Sequence, residues 1–113
     1  GRMEAKEMQE TKYKIGEYEF DPSSKTLTIN GHSTVLAARE AAVLLRLCRK
    51  KGQVVEASEL LKELWGDDNY FNLRSLNVYI TRLRNHFKAD SSVEIISVRS
   101  VGYRLHPESL LIV

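Results

Sequence analysis

No segment of this chain stays apolar over the roughly 20 residues that a membrane-spanning helix requires. The first residues are polar and charged, without the apolar run of a secretory leader, so none is expected. A single cysteine, Cys48, excludes an internal disulfide framework and fits a reducing compartment. His32, His86 and His106 are scattered, and no Cys/His spacing suggests a zinc site. There is no phosphate-binding glycine loop, no dinucleotide fingerprint and no nucleophile with a neighbouring base. An enzyme is not expected, and neither is a cofactor or metal.

What remains is enough for one domain with a true core. The chain has 113 residues, 42% of them hydrophobic and 28% charged, the balance of a soluble globular protein. Net charge is only +2, but its placement is uneven. Residues 74–104 hold six Lys/Arg (Arg74, Arg82, Arg84, Lys88, Arg99, Arg104) against Asp90 and Glu94, a balance of +4. Residues 1–73 hold eleven Lys/Arg against twelve acids, a balance of −1. The stretch 74–88, RSLNVYITRLRNHFK, has no acid at all. Such a distribution suggests a polyanionic partner, although charge alone equally fits a solvated face.

The periodicity divides the chain into strands, helices and a final hairpin. Residues 1–12 read as a linker or tail, with little to bury. From Tyr13 the pieces YKIGEYEFD, KTLTING and STVL alternate like half-buried strands, and Asn30-Gly31 is a hairpin turn signal. An antiparallel sheet of three or four strands is expected, ending near Leu36. Next, Ala41, Leu44, Leu45 and Cys48 recur at helical spacing, with Gly52 as a stop. In a second helix Leu60, Leu61, Leu64 and Trp65 share a face, closed by Gly66. DDNYFN reads as a loop, and a third helix is expected over residues 72–88.

In that helix Leu76, Ile80, Leu83 and Phe87 fall on one face; Arg74, Val78, Thr81, Arg82 and Asn85 fall on the other. The polar face offers guanidinium, amide, hydroxyl and methyl groups, the types that read base edges in the major groove. After ADSS, Val93–Val98 reads as a strand, RSVG as a turn and YRL as the return strand. Arg99 sits at the tip, where it can enter an adjacent minor groove. The fold class is therefore α+β: a winged helix-turn-helix with an N-terminal antiparallel sheet, three helices and a C-terminal β-hairpin wing. The domain spans residues 13–106, and residues 107–113 read as a C-terminal tail.

Four stretches, VLAAREAAVLLRL, GQVVEASELLKELWG, RSLNVYITRLRNHF and IISVRSVGYRL, together resemble the C-terminal effector domain of OmpR/PhoB-type bacterial response regulators. The resemblance implies sequence-specific binding of double-stranded DNA for transcriptional regulation, by pairs of domains on direct repeats, in the bacterial cytoplasm. It also implies a receiver domain phosphorylated by a sensor histidine kinase, and contact with RNA polymerase through the loop 66–72. The family's usual Asp and His in the third helix are Asn77 and Tyr79 here, and a wing glycine is Ser100. The usual Thr and Ser caps of the first two helices are Ala37 and Glu56, so a shift of the second helix start to Ser58 is expected.

The expected DNA-binding residues are Arg82, Val78, Asn77 and Thr81 at bases, Arg74, Ser75 and Tyr79 on the phosphate side, and Arg99 and Tyr103 in the wing. Tyr103 is expected to pack at the wing base with its hydroxyl free. Arg84 is expected in a structural ion pair with Glu40, and Trp65 and Cys48 in the core. Two other functions remain open: a winged helix that docks only proteins, and an RNA binder. The second lacks the aromatic sheet platform of single-strand readers.

Overall fold

A computed structural model describes residues 11–112. Four short strands open it: β1 (Lys12–Ile15), β2 (Tyr18–Asp21), β3 (Thr26–Ile29) and β4 (His32–Val35). The Asn30-Gly31 turn joins β3 to β4 with φ of 50° and 78°, the left-handed pair that a tight hairpin needs. Alternation buries Ile15, Tyr18, Phe20 and Leu27 under the sheet.

Three helices follow: α1 (Ala38–Arg49), α2 (Ala57–Trp65) and α3 (Tyr70–His86). A two-residue strand, β5 (Val55–Glu56), precedes α2. The wing is β6 (Glu94–Val98) and β7 (Gly102–His106), and β8 (Leu110–Ile112) ends the described chain. The strands form two sheets, a five-stranded one in the order β4-β3-β2-β1-β8 and a three-stranded one in the order β5-β7-β6. This is the expected winged helix-turn-helix, with α2 and α3 as the helix pair.

One core joins the layers. Val43, Leu44 and Leu47 of α1, Leu60 and Leu61 of α2, and Leu76, Ile80 and Leu83 of α3 are buried together with the sheet residues and Leu105. The face of α1 is wider than the expected stripe: Val43 and Leu47 are buried while Leu45 is only half-buried. The cause is that α1 touches α2, α3 and β7, not one neighbour. Tyr18 ties the first sheet to the end of α3. Its ring meets Phe87 edge-on at 5.0 Å, and its hydroxyl accepts from the Ala89 N–H at 3.1 Å. Cys48 is buried, and burial pushes its thiol up to about 12, which makes it an inert packing group.

Four expectations need correction. First, α3 begins at Tyr70, not 72, because the Asn69 side chain accepts the Asn72 N–H at 2.9 Å and caps the helix there. Second, α2 begins at Ala57, not Ser58. With no side-chain cap from Glu56, the Ala57 N–H donates instead to the Val101 carbonyl of the wing turn at 2.9 Å. Third, the stretch expected as a C-terminal tail carries β8, which pairs Lys12 with Ile112 and Lys14 with Leu110 on the open edge of β1. Fourth, the polar N-terminal stretch ends earlier, since Lys12 already belongs to β1; residues 1–10 lie outside the described residues.

Candidate nucleic-acid interface

The buried stripe of α3 fixes what the helix presents outward. Leu76, Ile80 and Leu83 are inside, with Phe87 just past the helix end, so Arg74, Asn77, Val78, Thr81, Arg82 and Asn85 are exposed. Val78 is 49% exposed, an apolar side chain set among cations and amides. Among the described residues no carboxylate pairs with Arg74, Arg82 or Arg99. Their charge is therefore open to an outside anion.

Aromatic rings brace these cations. The Arg82 guanidinium lies 5.4 Å from the Tyr79 ring centre, and Arg74 lies 5.9 Å from that of Tyr70. Tyr79 in turn meets Trp65 at 5.9 Å, and Arg39 of α1 covers the other ring at 4.4 Å. Arg39 also donates to the Leu64 carbonyl at 3.0 Å. A cation–aromatic–aromatic–cation row thus crosses from α1 through α2 to α3. Trp65 is a half-buried member of that row, not a sealed core residue. Arg39 joins the row only through its tertiary neighbours, which no local sequence pattern announces.

The structure holds Thr81, Asn77 and Tyr103 in a local network. The Thr81 hydroxyl donates to the Asn77 carbonyl at 3.0 Å. The Tyr103 hydroxyl donates to Asn77 Oδ1 at 2.5 Å, so the expectation of a free hydroxyl is overturned. The reason is reach: half-buried Tyr103 of β7 extends its side chain to Asn77 on α3. Burial raises the phenol above its ordinary value of 10.0, against a smaller opposing effect of nearby Arg84. The phenol therefore keeps its proton and donates at neutral pH. Ser75 is half-buried on the same helix.

Arg84 does not pair with Glu40. It turns to the wing, donating Nε and Nη2 to the Ile95 carbonyl at 3.0 and 2.7 Å and Nη2 to Ser97 Oγ at 2.8 Å. Glu40 meets His86 instead, Oε2 to Nε2 at 3.1 Å, while its Oε1 accepts the Ala37 N–H at 2.7 Å. Arg84 and His86 project about 200° apart on the helix, so only one of them can face α1. The second Glu40 contact satisfies the Ala37 N–H, the half of a capping box that remains when the N-cap residue has no hydroxyl.

The wing tip is a tight turn in which the Val101 N–H donates to the Val98 carbonyl at 3.0 Å. Ser100 adopts a φ of 64° where glycine would be unstrained. Gly102 is required for another reason: a Cβ there would lie 1.9 Å from the Val55 carbonyl oxygen. Its smallness lets β7 close onto β5, and it leaves exposed Arg99 at the tip of the hairpin.

Known proteins share this arrangement. The transcriptional regulatory protein RprY of Bacteroides fragilis is 44% identical over 100 residues, covering 86% of this chain and 42% of that protein. The chain thus spans less than half the length of this curated relative. The DNA-binding domain of E. coli CadC superposes with a TM-score of 0.78 at 26% identity, over 92% of this chain and 99% of that one. The DNA-binding domain of Klebsiella pneumoniae RstA, solved in complex with the RstA box, gives 0.71 at 28% identity, over 86% and 98%. The family model described as "Transcriptional regulatory protein, C terminal" matches residues 31–105. With that match covering all three helices and most of the wing, the chain belongs to the family of C-terminal domains of transcriptional regulatory proteins.

Proposed function

We propose that this domain binds double-stranded DNA sequence-specifically and regulates transcription as the output part of a bacterial two-component response regulator in the cytoplasm. The observation that carries the reading is the acid-free outer face of α3, with Arg74, Val78, Thr81 and Arg82 exposed and no carboxylate on the cations. The RstA structure with its DNA box supports it by likeness. Arg82, Val78, Asn77 and Thr81 face bases; Arg74, Ser75 and Tyr79 lie toward phosphate; Arg99 and Tyr103 belong to the wing. Catalysis has no part in this reading.

Isolated domains are monomers that pair on direct repeats, because no long apolar heptad offers a stable dimer seam. A receiver domain and its sensor kinase would sit on the N-terminal side. RNA polymerase would meet the segment 66–72, where Tyr70 and Phe71 are 66% and 79% exposed beside Asp67 and Asp68. If the domain only docked proteins, duplex DNA would not bind it in a salt-dependent way.

The test is a titration of duplex DNA across salt concentrations. With about six phosphates neutralised, log K should fall with log salt at a slope of about −5. A slope near zero would remove groove docking of α3 and leave the protein-docking reading.

A further inference from the structure

We propose that Tyr103 turns Asn77 into a donor-only base reader, so that this position of α3 selects guanine and discriminates against adenine. The inference rests on the DNA reading above and specifies one contact within it.

An asparagine facing the major groove ordinarily favours adenine. Its carbonyl oxygen accepts from N6 while its amide nitrogen donates to N7. Both ends of the side chain must then face the base. In this protein they cannot, because Oδ1 is already turned toward the wing by the Tyr103 hydroxyl. In that bond the hydroxyl donates and the amide oxygen accepts, so Oδ1 is turned to the wing and Nδ2 is the end left for the base.

Tyr103 is well placed to hold that orientation. Its backbone is paired on both sides, with Ser97 of β6 and Val55 of β5. Its hydroxyl keeps its single proton, which is spent on Asn77. Asn77 itself is anchored on the exposed side of a long helix, adjacent to Val78 and one turn before Thr81. Among the described residues no acceptor pairs with the two amide protons of Asn77, and the residue is exposed. Guanine presents two adjacent acceptors there, N7 and O6. Adenine presents N7 but sets its N6 donors against the Asn77 donors. A carboxylate at the same position would offer acceptors only, so the amide changes what is read.

Selection of bound duplexes from a random pool, with wild type, Asn77→Ala and Tyr103→Phe, tests this. Asn77→Ala should relax the preference at one base pair, and wild type should hold guanine there. Tyr103→Phe releases the amide to rotate, so the same base pair should shift toward adenine by about tenfold relative to guanine. Thermal melts of both variants check that they fold, and the readout is the base preference at the single relaxed position. Adenine in wild type at the relaxed position overturns the proposal, as does an Asn77→Ala profile with no relaxed position. An unchanged Tyr103→Phe profile also overturns it. The Asn77→Ala arm decides even if Tyr103→Phe folds poorly. A wild type that selects no sequence at all overturns the DNA reading itself.

Discussion

Arg84 is clamped to the Ile95 carbonyl by two nitrogens, and through it the third helix grips the first strand of the wing. The distances are 3.0 and 2.7 Å, with a third bond to Ser97 Oγ at 2.8 Å. Two residues earlier, Arg82 makes no such contact and lies over Tyr79 on the outer face. The same residue type thus serves two ends on opposite sides of one helix.

Arg84→Ala should therefore lower the melting temperature and leave base preference largely intact in folded molecules. Bonds from a charged donor contribute about 1.5–3 kcal/mol each when buried, and less at this partly exposed edge. A total loss of about 1–3 kcal/mol corresponds to several degrees. Arg82→Ala should melt like wild type and lose preference for a specific site over random duplex, by about 1–3 kcal/mol if it forks a guanine. Parallel thermal melts and competition binding on both variants check this. The reverse pattern would mean that α3 faces DNA with its other side.

The wing turn carries strain that can be relieved. Ser100 holds a φ of 64°. A non-glycine residue there costs about 1–2 kcal/mol, partly offset by the freedom that glycine regains on unfolding. Ser100→Gly should raise the melting temperature slightly, by up to about 1 kcal/mol of stability. Gly102→Ala should do the opposite and much more strongly, since its Cβ would strike the Val55 carbonyl. Thermal denaturation of the two single variants separates these effects.

The elements were legible in the sequence wherever a period ran long enough. Leu76, Ile80, Leu83 and Phe87 are buried as their spacing implies, and Asn30-Gly31 makes its hairpin. What was not legible came from partners distant in the chain. The cap of α2 is a wing carbonyl 44 residues onward, from Val101 to Ala57, which no local motif announces. The Arg84 and Glu40 partners depended on helix rotation, and a shift of two positions exchanges Arg84 for His86. Leu110–Ile112 is too short for a period to mark it, and becomes a strand only because β1 offers an open edge. For the interface, the exposed cations were readable, but the Tyr103 bond to Asn77 was not, because it joins residues 26 apart on different elements.

Glu40 is the buried carboxylate of the core, 5% exposed, and it bonds the Ala37 N–H and His86. Glu40→Ala should remove both and cost about 1–3 kcal/mol, below the 3–5 of a fully buried pair because the His86 side chain is 25% exposed. Glu40→Gln keeps an acceptor for Ala37 and a polar group for the ring, so it should cost less than half as much. His86→Ala should fall between them. Chemical denaturation of the three variants, with an unchanged m-value, checks the order.

Asp90 joins two turns 73 residues apart. Its Oδ2 accepts the Glu17 N–H at 2.8 Å, and its Oδ1 accepts the Ser92 N–H at 3.0 Å and the Ser92 hydroxyl at 2.6 Å. The Ser92 hydroxyl bond, followed by the two backbone bonds, holds the carboxyl below its ordinary value of 3.8. A carboxyl depressed on folding stabilises the native state fully above its unfolded value. That stability is lost as pH falls through the lower folded value. Asp90→Asn removes the charge and weakens the acceptor, so it should melt below wild type at neutral pH. On acidification the wild type loses the advantage, and the gap between the two should close below about pH 4. Other carboxylates titrate in both proteins alike, so the difference isolates Asp90. Melting curves of both proteins from about pH 7 to about pH 2.5 measure it. A gap of constant size across that range would mean that the ionised carboxylate does not hold the turn of β1 and β2 against the end of α3.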